Sequence, residues 1–117
     1  MMAGRKNFGA LVRQEREAKE IGLREMAKKI GVSPTYLSKI ERGDFDPPAE
    51  DKVRRIAEII GHDPDELLAL AGRVSADLTK IIREHPRQLA DFLRTARGLS
   101  AEDIARLARQ AQRAKEK

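Results

Sequence analysis

Residues 23–43, LREMAKKIGVSPTYLSKIERG, leave the backbone few choices. Met26, Ala27 and Ile30 recur at helical spacing and form the apolar stripe of a short helix. Gly31 then accepts a left-handed or sharply turned conformation that a β-carbon resists, and Val32 plugs the turn with an apolar side chain. Ser33 can accept from a freed backbone N–H, and Pro34 suits a first helical turn because no donor is needed there. A second helix therefore starts here, with Leu37 and Ile40 inward and Thr35, Tyr36, Ser38, Lys39 and Arg42 on other faces. Two short helices joined by a tight turn, the second polar and cationic on its outer side, make a surface suited to nucleic acid.

The same logic runs along the chain. Gly31, Gly43, Gly61, Gly72 and Gly98 each follow an apolar-periodic segment, as helix stop signals do. The pattern predicts a first helix over about 7–20, burying Phe8, Leu11 and Val12, with Ile21 closing the corner. The run Asp44-Phe45-Asp46-Pro47-Pro48 is a loop, because consecutive prolines cannot continue a helix. A fourth helix over about 49–60 carries Val53, Ile56, Ala57 and Ile60 on one face. Asp63-Pro64-Asp65-Glu66 supplies a cap, a first-turn proline and a capping-box acid for a fifth. Residues 1–72 are thus expected to form a five-helix domain, with Asp44 and Asp46 turned away from any phosphate.

Three further helices are expected over about 75–84, 86–97 and 100–114, the last capped by Ser100. Their inward stripes are Leu78, Ile81 and Ile82; Leu89, Phe92, Leu93 and Ala96; and Ile104, Leu107, Ala108 and Ala111. A module of residues 73–117 with so few large apolar side chains is hard to stabilise alone. It is expected to bury its stripes against the first domain, a second copy, or both. Leu78, Ile82, Leu89, Phe92, Leu93, Ile104 and Leu107 are the candidate dimerisation or partner-contact residues.

Composition narrows the function classes. Hydrophobic residues make up 40% of the chain and aromatics 3%, so the core must be built from Leu, Ile, Val and Ala, which favours an all-α fold. The absence of cysteine excludes a disulfide framework and any zinc finger that uses thiolates. His62 and His85 sit at helix ends without a second histidine at ligand spacing, so neither a metal nor a cofactor is expected. No nucleophile–base set and no phosphate-cradling glycine loop is present, so no catalysis is expected. No apolar run approaches the roughly 20 residues that span a bilayer, and MMAGRKNFGALVRQER lacks a long apolar segment. A cytoplasmic protein with no membrane contact is the expectation.

The net charge of +5 is unevenly placed: residues 1–42 carry 10 Lys+Arg against 5 Asp+Glu, residues 43–72 carry 3 against 8, and residues 73–117 carry 11 against 6. The basic first block holds both helices of the motif, which fits a phosphate-facing surface backed by an acidic one.

Residues 7–72 resemble the phage-repressor type of helix-turn-helix, the Cro/CI or xenobiotic-response-element family of transcriptional regulators. The resemblance rests on Ala27, Gly31, Leu37, Ile40 and the Glu41-Arg42-Gly43 ending. It implies a repressor-like five-helix domain and an ion pair between Arg16 of the first helix and Glu41. It also implies that Pro34, Thr35, Ser38 and Lys39 face base edges, while Ser33, Tyr36 and Arg42 contact phosphate or the groove wall. Two positions depart from the family. Gly22 stands where Ser or Thr usually caps the first motif helix, and Leu23 stands where Gln often meets phosphate. Backbone N–H contact to phosphate remains open there, but a side-chain hydrogen bond does not.

The expected function is sequence-specific binding of double-stranded DNA by a transcriptional regulator, a repressor that occupies an inverted-repeat operator as a homodimer. The alternative is an antitoxin-like or other regulatory subunit that uses its C-terminal helices to bind a protein partner. Low aromatic content argues against stacking on single-stranded RNA.

Overall fold

The computed structural model describes residues 2–117, and every regular element among them is an α-helix. In chain order these are α1 (Met2–Ala18), α2 (Leu23–Ile30), α3 (Pro34–Glu41), α4 (Glu50–Ile60), α5 (Pro64–Leu70), α6 (Ala76–Glu84), α7 (Pro86–Ala96) and α8 (Ala101–Glu116). They fall into two compact units that divide after Ala76.

The first unit packs five helices around one apolar core. Phe8 and Val12 come from α1, Met26, Ala27 and Ile30 from α2, and Leu37 and Ile40 from α3. Val53, Ile56, Ala57 and Ile60 come from α4, and Leu67 and Leu68 from α5. Each set recurs at three- and four-residue spacing, so one stripe per helix is taken out of water. Leu11, expected inside, sits only partly buried at the margin with Ile21, Leu23 and Val32.

Local chemistry sets the helix ends. The Ser33 hydroxyl accepts from the Tyr36 N–H at 3.1 Å, and the Asp63 carboxylate accepts from the Glu66 N–H at 3.0 Å. The glycines read as stops, Gly31, Gly43, Gly61, Gly72 and Gly98, all have positive φ. At Gly31, φ is 76°, and the Val32 N–H reaches back to the Ala27 carbonyl at 2.9 Å, which turns the chain directly into α3.

One stop carries no glycine. α1 ends at Ala18 rather than near Glu20, because Glu20 itself adopts φ 57° and lets the Ile21 N–H bond the Arg16 carbonyl at 3.1 Å. This is the glycine-type helix ending built on a glutamate, so the sequence offers no punctuation there.

Gly9 explains how closely α1 and α3 cross. A β-carbon built at Gly9 would lie 2.3 Å from the Ile40 carbonyl oxygen and 2.6 Å from that of Glu41. Both are backbone atoms at the end of α3, so neither can swing aside.

The first unit runs past Gly72 because residues 73–76 are tied to it. An Arg73 guanidinium N–H donates to the Pro47 carbonyl at 2.6 Å, and the Ala76 N–H donates to Glu50 at 2.9 Å. Arg54 donates to the Ser75 hydroxyl at 2.8 Å, and Ser75 is buried.

The second unit comprises residues 77–117. α8 is capped by Ser100, whose hydroxyl accepts from the Asp103 N–H at 3.1 Å. No residue from 77 to 117 is buried. Leu78, Ile81, Phe92, Leu93, Leu99 and Ile104 are exposed, and Ile82, Leu89 and Leu107 are half-buried.

Gly9→Ala should lower the stability of the first unit by about 1–3 kcal/mol, the usual range for overpacking. Alanine's better helix propensity, worth up to about 1 kcal/mol, works in the opposite direction. An unchanged or raised urea midpoint would show that the α1–α3 crossing can relax.

Candidate nucleic-acid interface

The outer face of α3 follows from its inner one. Leu37, Ile40 and Glu41 turn into the unit, which leaves Pro34, Thr35, Ser38 and Lys39 outward, flanked by Tyr36 and Arg42. Thr35 and Arg42 are exposed, and the others are half-buried.

Where α3 passes the start of α2, Pro34, Thr35, Ser38 and Arg42 line a shallow concavity together with Gly22, Leu23 and Arg24. Gly22 holds an extended cap geometry, φ −68° and ψ 153°, and provides no side-chain hydrogen bond to α2. The first N–H groups of α2 therefore remain available beside this face, as an anion-binding helix start requires. Leu23 packs against the core margin from here. Arg24 adds a cation that the sequence reading passed over, although its position, second in a helix opened by a bare glycine, marked it.

Lys39 lies on the other flank of α3. Its ammonium sits 5.1 Å from the centroid of the Phe45 ring, and the Tyr36 ring meets Phe45 at 5.9 Å with a 45° tilt. Phe45, a residue of the Asp44–Pro48 loop, is 41% exposed. Its signal in the sequence was a lone aromatic among aspartates and prolines.

The acidic loop residues part company. Asp46 accepts from the Arg5 guanidinium at 2.5 Å, in a cleft shared with Pro47 and residues 69–73. That hydrogen bond, with the attraction of the same guanidinium, holds the Asp46 carboxyl below its ordinary value. A depressed carboxylate pKa gives a contribution that is present at neutral pH and is lost as acid protonates Asp46 below the usual aspartate range. Asp44, expected to point away, instead pairs with Arg42 at 3.3 Å. The two lie two residues apart just beyond the end of α3, so the nearest counter-ion for the arginine is this carboxylate. Both side chains are 56% exposed. Exposed pairs of this kind are worth roughly 0–1 kcal/mol, so the carboxylate holds the arginine only weakly.

Behind the face, Arg16 and Glu41 meet fork to fork. Arg16 Nε donates to Glu41 Oε2 at 2.8 Å, and Nη2 donates to Oε1 at 2.9 Å. Nη1 donates to the Ile21 carbonyl at 2.8 Å. The side chains are 10% and 4% exposed. The hydrogen bond to Glu41 raises the Arg16 pKa further above its ordinary value, against the opposing effect of burial. This guanidinium is charged at every accessible pH.

A family model described as a helix-turn-helix domain matches residues 7–70. The chain belongs to the helix-turn-helix family. It is 32% identical over 76 residues to an uncharacterised HTH-type transcriptional regulator of Mycobacterium tuberculosis. That match covers 65% of this chain and 54% of the relative, so the chain spans about half the mycobacterial protein's length. It is also 43% identical over 63 residues to the ImmF control region 10 kDa protein of Bacillus phage phi105, a match covering 54% of this chain and 68% of that one. Among solved structures, the clp gene regulator ClgR from C. glutamicum superposes with a TM-score of 0.50 at 33% identity, covering 59% of this chain and 88% of that chain. The mycobacterial relative is thus named as an HTH-type transcriptional regulator, and ClgR as a gene regulator.

Among the described residues no cluster of His, Asp or Glu side chains is arranged to hold a metal ion, and no helix is long and apolar enough to cross a membrane.

Removing one partner of the Arg16–Glu41 fork leaves the other charge poorly solvated. Arg16→Met should cost about 3 kcal/mol, and Glu41→Met a similar amount. The double variant should be more stable than the sum of the two losses implies, as a double-mutant cycle in urea would measure. Single variants within about 0.5 kcal/mol of the parent, the range of ordinary surface substitutions, would mean that the fork contributes no more than an exposed pair.

Proposed function

We propose that this chain is a sequence-specific, double-stranded-DNA-binding transcriptional repressor that occupies an inverted-repeat operator as a homodimer. The observation that carries the reading is the outer face of α3. Pro34, Thr35 and Ser38 share a concavity with Arg24 and Arg42 at the open start of α2. In this reading α3 enters the major groove. Lys39 donates to guanine O6 or N7, Thr35 and Ser38 hydrogen-bond to base edges, and the Pro34 ring or Thr35 methyl meets a thymine methyl. Ser33, Tyr36 and Arg42 fix register on phosphates and the groove wall, joined by Arg24 and the N–H groups of α2. Such a regulator is not an enzyme, needs no cofactor, and works in the cytoplasm alongside the DNA.

One eight-residue helix reads few base pairs, so useful affinity calls for two copies, with recognition helices roughly 34 Å apart. The exposed stripes of the second unit support that arrangement, with Leu78, Ile82, Leu89, Phe92, Leu93, Ile104 and Leu107 as the proposed contact residues. The same exposed stripes favour a second reading, in which residues 73–117 grip a different regulatory protein while residues 1–72 bind DNA.

Selection from random duplexes at about 0.15 M salt, near physiological ionic strength, should enrich an inverted repeat with half-sites about one helical turn apart. On the enriched duplex, Lys39→Ala should relax preference at its base pair, where a good bidentate contact is worth about 1–3 kcal/mol. Arg42→Ala should instead weaken all sequences alike and lower the salt slope by about one unit. Salt-sensitive binding with no enriched sequence would overturn the operator-reading function and leave the protein-partner reading.

A further inference from the structure

Phe45 has no part in the reading above, yet two residues of the proposed recognition helix rest on it. It is 41% exposed in a chain that has three phenylalanines, one tyrosine and no tryptophan. A solitary exposed apolar side chain needs no explanation by itself. Here, however, the Lys39 ammonium stands 5.1 Å from the ring centroid, inside the roughly 6 Å reach of a cation–π contact. The Tyr36 ring closes on the same phenyl at 5.9 Å. Tyr36 and Lys39 are three residues apart, so they form one flank of α3, beside the concavity that holds Pro34, Thr35 and Ser38.

We propose that Phe45 is a positioning residue for base reading: its ring holds the Lys39 ammonium beside the outer face of α3 before DNA arrives. The inference rests on α3 being the DNA-reading helix. A free lysine spreads over many rotamers and loses that freedom when it binds a base edge. A ring that restricts the side chain beforehand reduces what is lost on binding. A π face does this without cancelling the charge, and the ammonium has three donors, so donors remain for guanine O6 or N7. The contrast with Arg42 is chemical. Its partner Asp44 is an anion that a phosphate must displace, whereas Lys39 keeps its ring contact while it donates.

The test uses the full chain and the duplex enriched by selection. Phe45→Leu keeps apolar bulk and removes the π face, Phe45→Tyr keeps the face, and Lys39→Met keeps the stem and removes the charge. Phe45→Leu should weaken specific binding about two- to tenfold, the ordering cost of one rotamer-rich side chain that the ring no longer restricts beforehand. It should also relax the same base pair that Lys39→Met relaxes. Phe45→Tyr should bind like the parent, and Phe45→Leu should add nothing in the Lys39→Met background. In the free protein, the Lys39 ε-methylene protons should show an upfield ring-current shift that Phe45→Leu abolishes. Equal loss from Phe45→Leu in both backgrounds would overturn the proposal, because the ring would then act without Lys39, and so would the lack of a ring-current shift. An enriched duplex whose sequence is indifferent to Lys39→Met would remove both Lys39 and Phe45 from recognition while leaving DNA reading intact. The lack of any enriched duplex would overturn the functional reading together with this one.

Discussion

Arg16 and Glu41 are joined by two hydrogen bonds across 25 residues of chain, and Arg16 adds a third to the Ile21 carbonyl. Three pieces of backbone therefore converge on one guanidinium: α1, the corner that leads to α2, and the last turn of α3. The planar fork of arginine suits this task, since it presents several donors in fixed directions and cannot lose its charge. Burial opposes both charges, so the fork is better understood as setting an orientation than as a large net source of stability. Beside it, the bare backbone at Gly9 lets α1 lie against the Ile40 and Glu41 carbonyls. The angle at which α3 presents its outer face is fixed by these two contacts together with Leu37 and Ile40 in the core.

With its inner side so constrained, α3 can devote its outer side to polar chemistry. The two cations on this side, Lys39 within α3 and Arg42 just past its end, are held in different ways. Arg42 faces a carboxylate, which keeps it near the surface until a stronger anion competes, and Lys39 faces an aromatic ring, which keeps its charge unbalanced. In the proposed function these suit different tasks. Arg42 exchanges one counter-ion for a phosphate, and Lys39 offers donors to a base edge. The acidic loop is partly neutralised by the protein itself, since Asp46 is bound to Arg5.

The second unit poses the opposite physical problem. Its helices have amphipathic stripes, yet no residue from 77 to 117 is buried. Exposed Leu78, Ile81, Phe92, Leu93 and Ile104 gain nothing from the hydrophobic effect until something covers them. The proposed homodimer meets that need with a second copy of the same surface.

Much of the fold was legible because its signals are local. Apolar spacing marked the stripes of α2, α3 and α4, Ser33, Asp63 and Ser100 marked helix starts, and five glycines marked stops, all within a few residues of the structures they set. The matching motif residues also pointed to Arg16 and Glu41. Two of the illegible features depend on residues far apart in sequence, and two on local turns that no glycine or cap announces. Gly9 looks like a mid-helix defect until Ile40 and Glu41 are placed against it. Arg73 and Ser75 look like the start of a new module until Pro47 and Arg54 bind them. Phe45 is a loop residue until Lys39 and Tyr36 reach its ring, and Glu20 ends a helix without the glycine that usually announces it. The sequence by itself determined which helices form and which face of each is apolar, because backbone periodicity and capping act over one or two turns. Only the tertiary structure decided how closely α1 and α3 approach and that residues 73–76 join the first unit, because those depend on where distant segments pack.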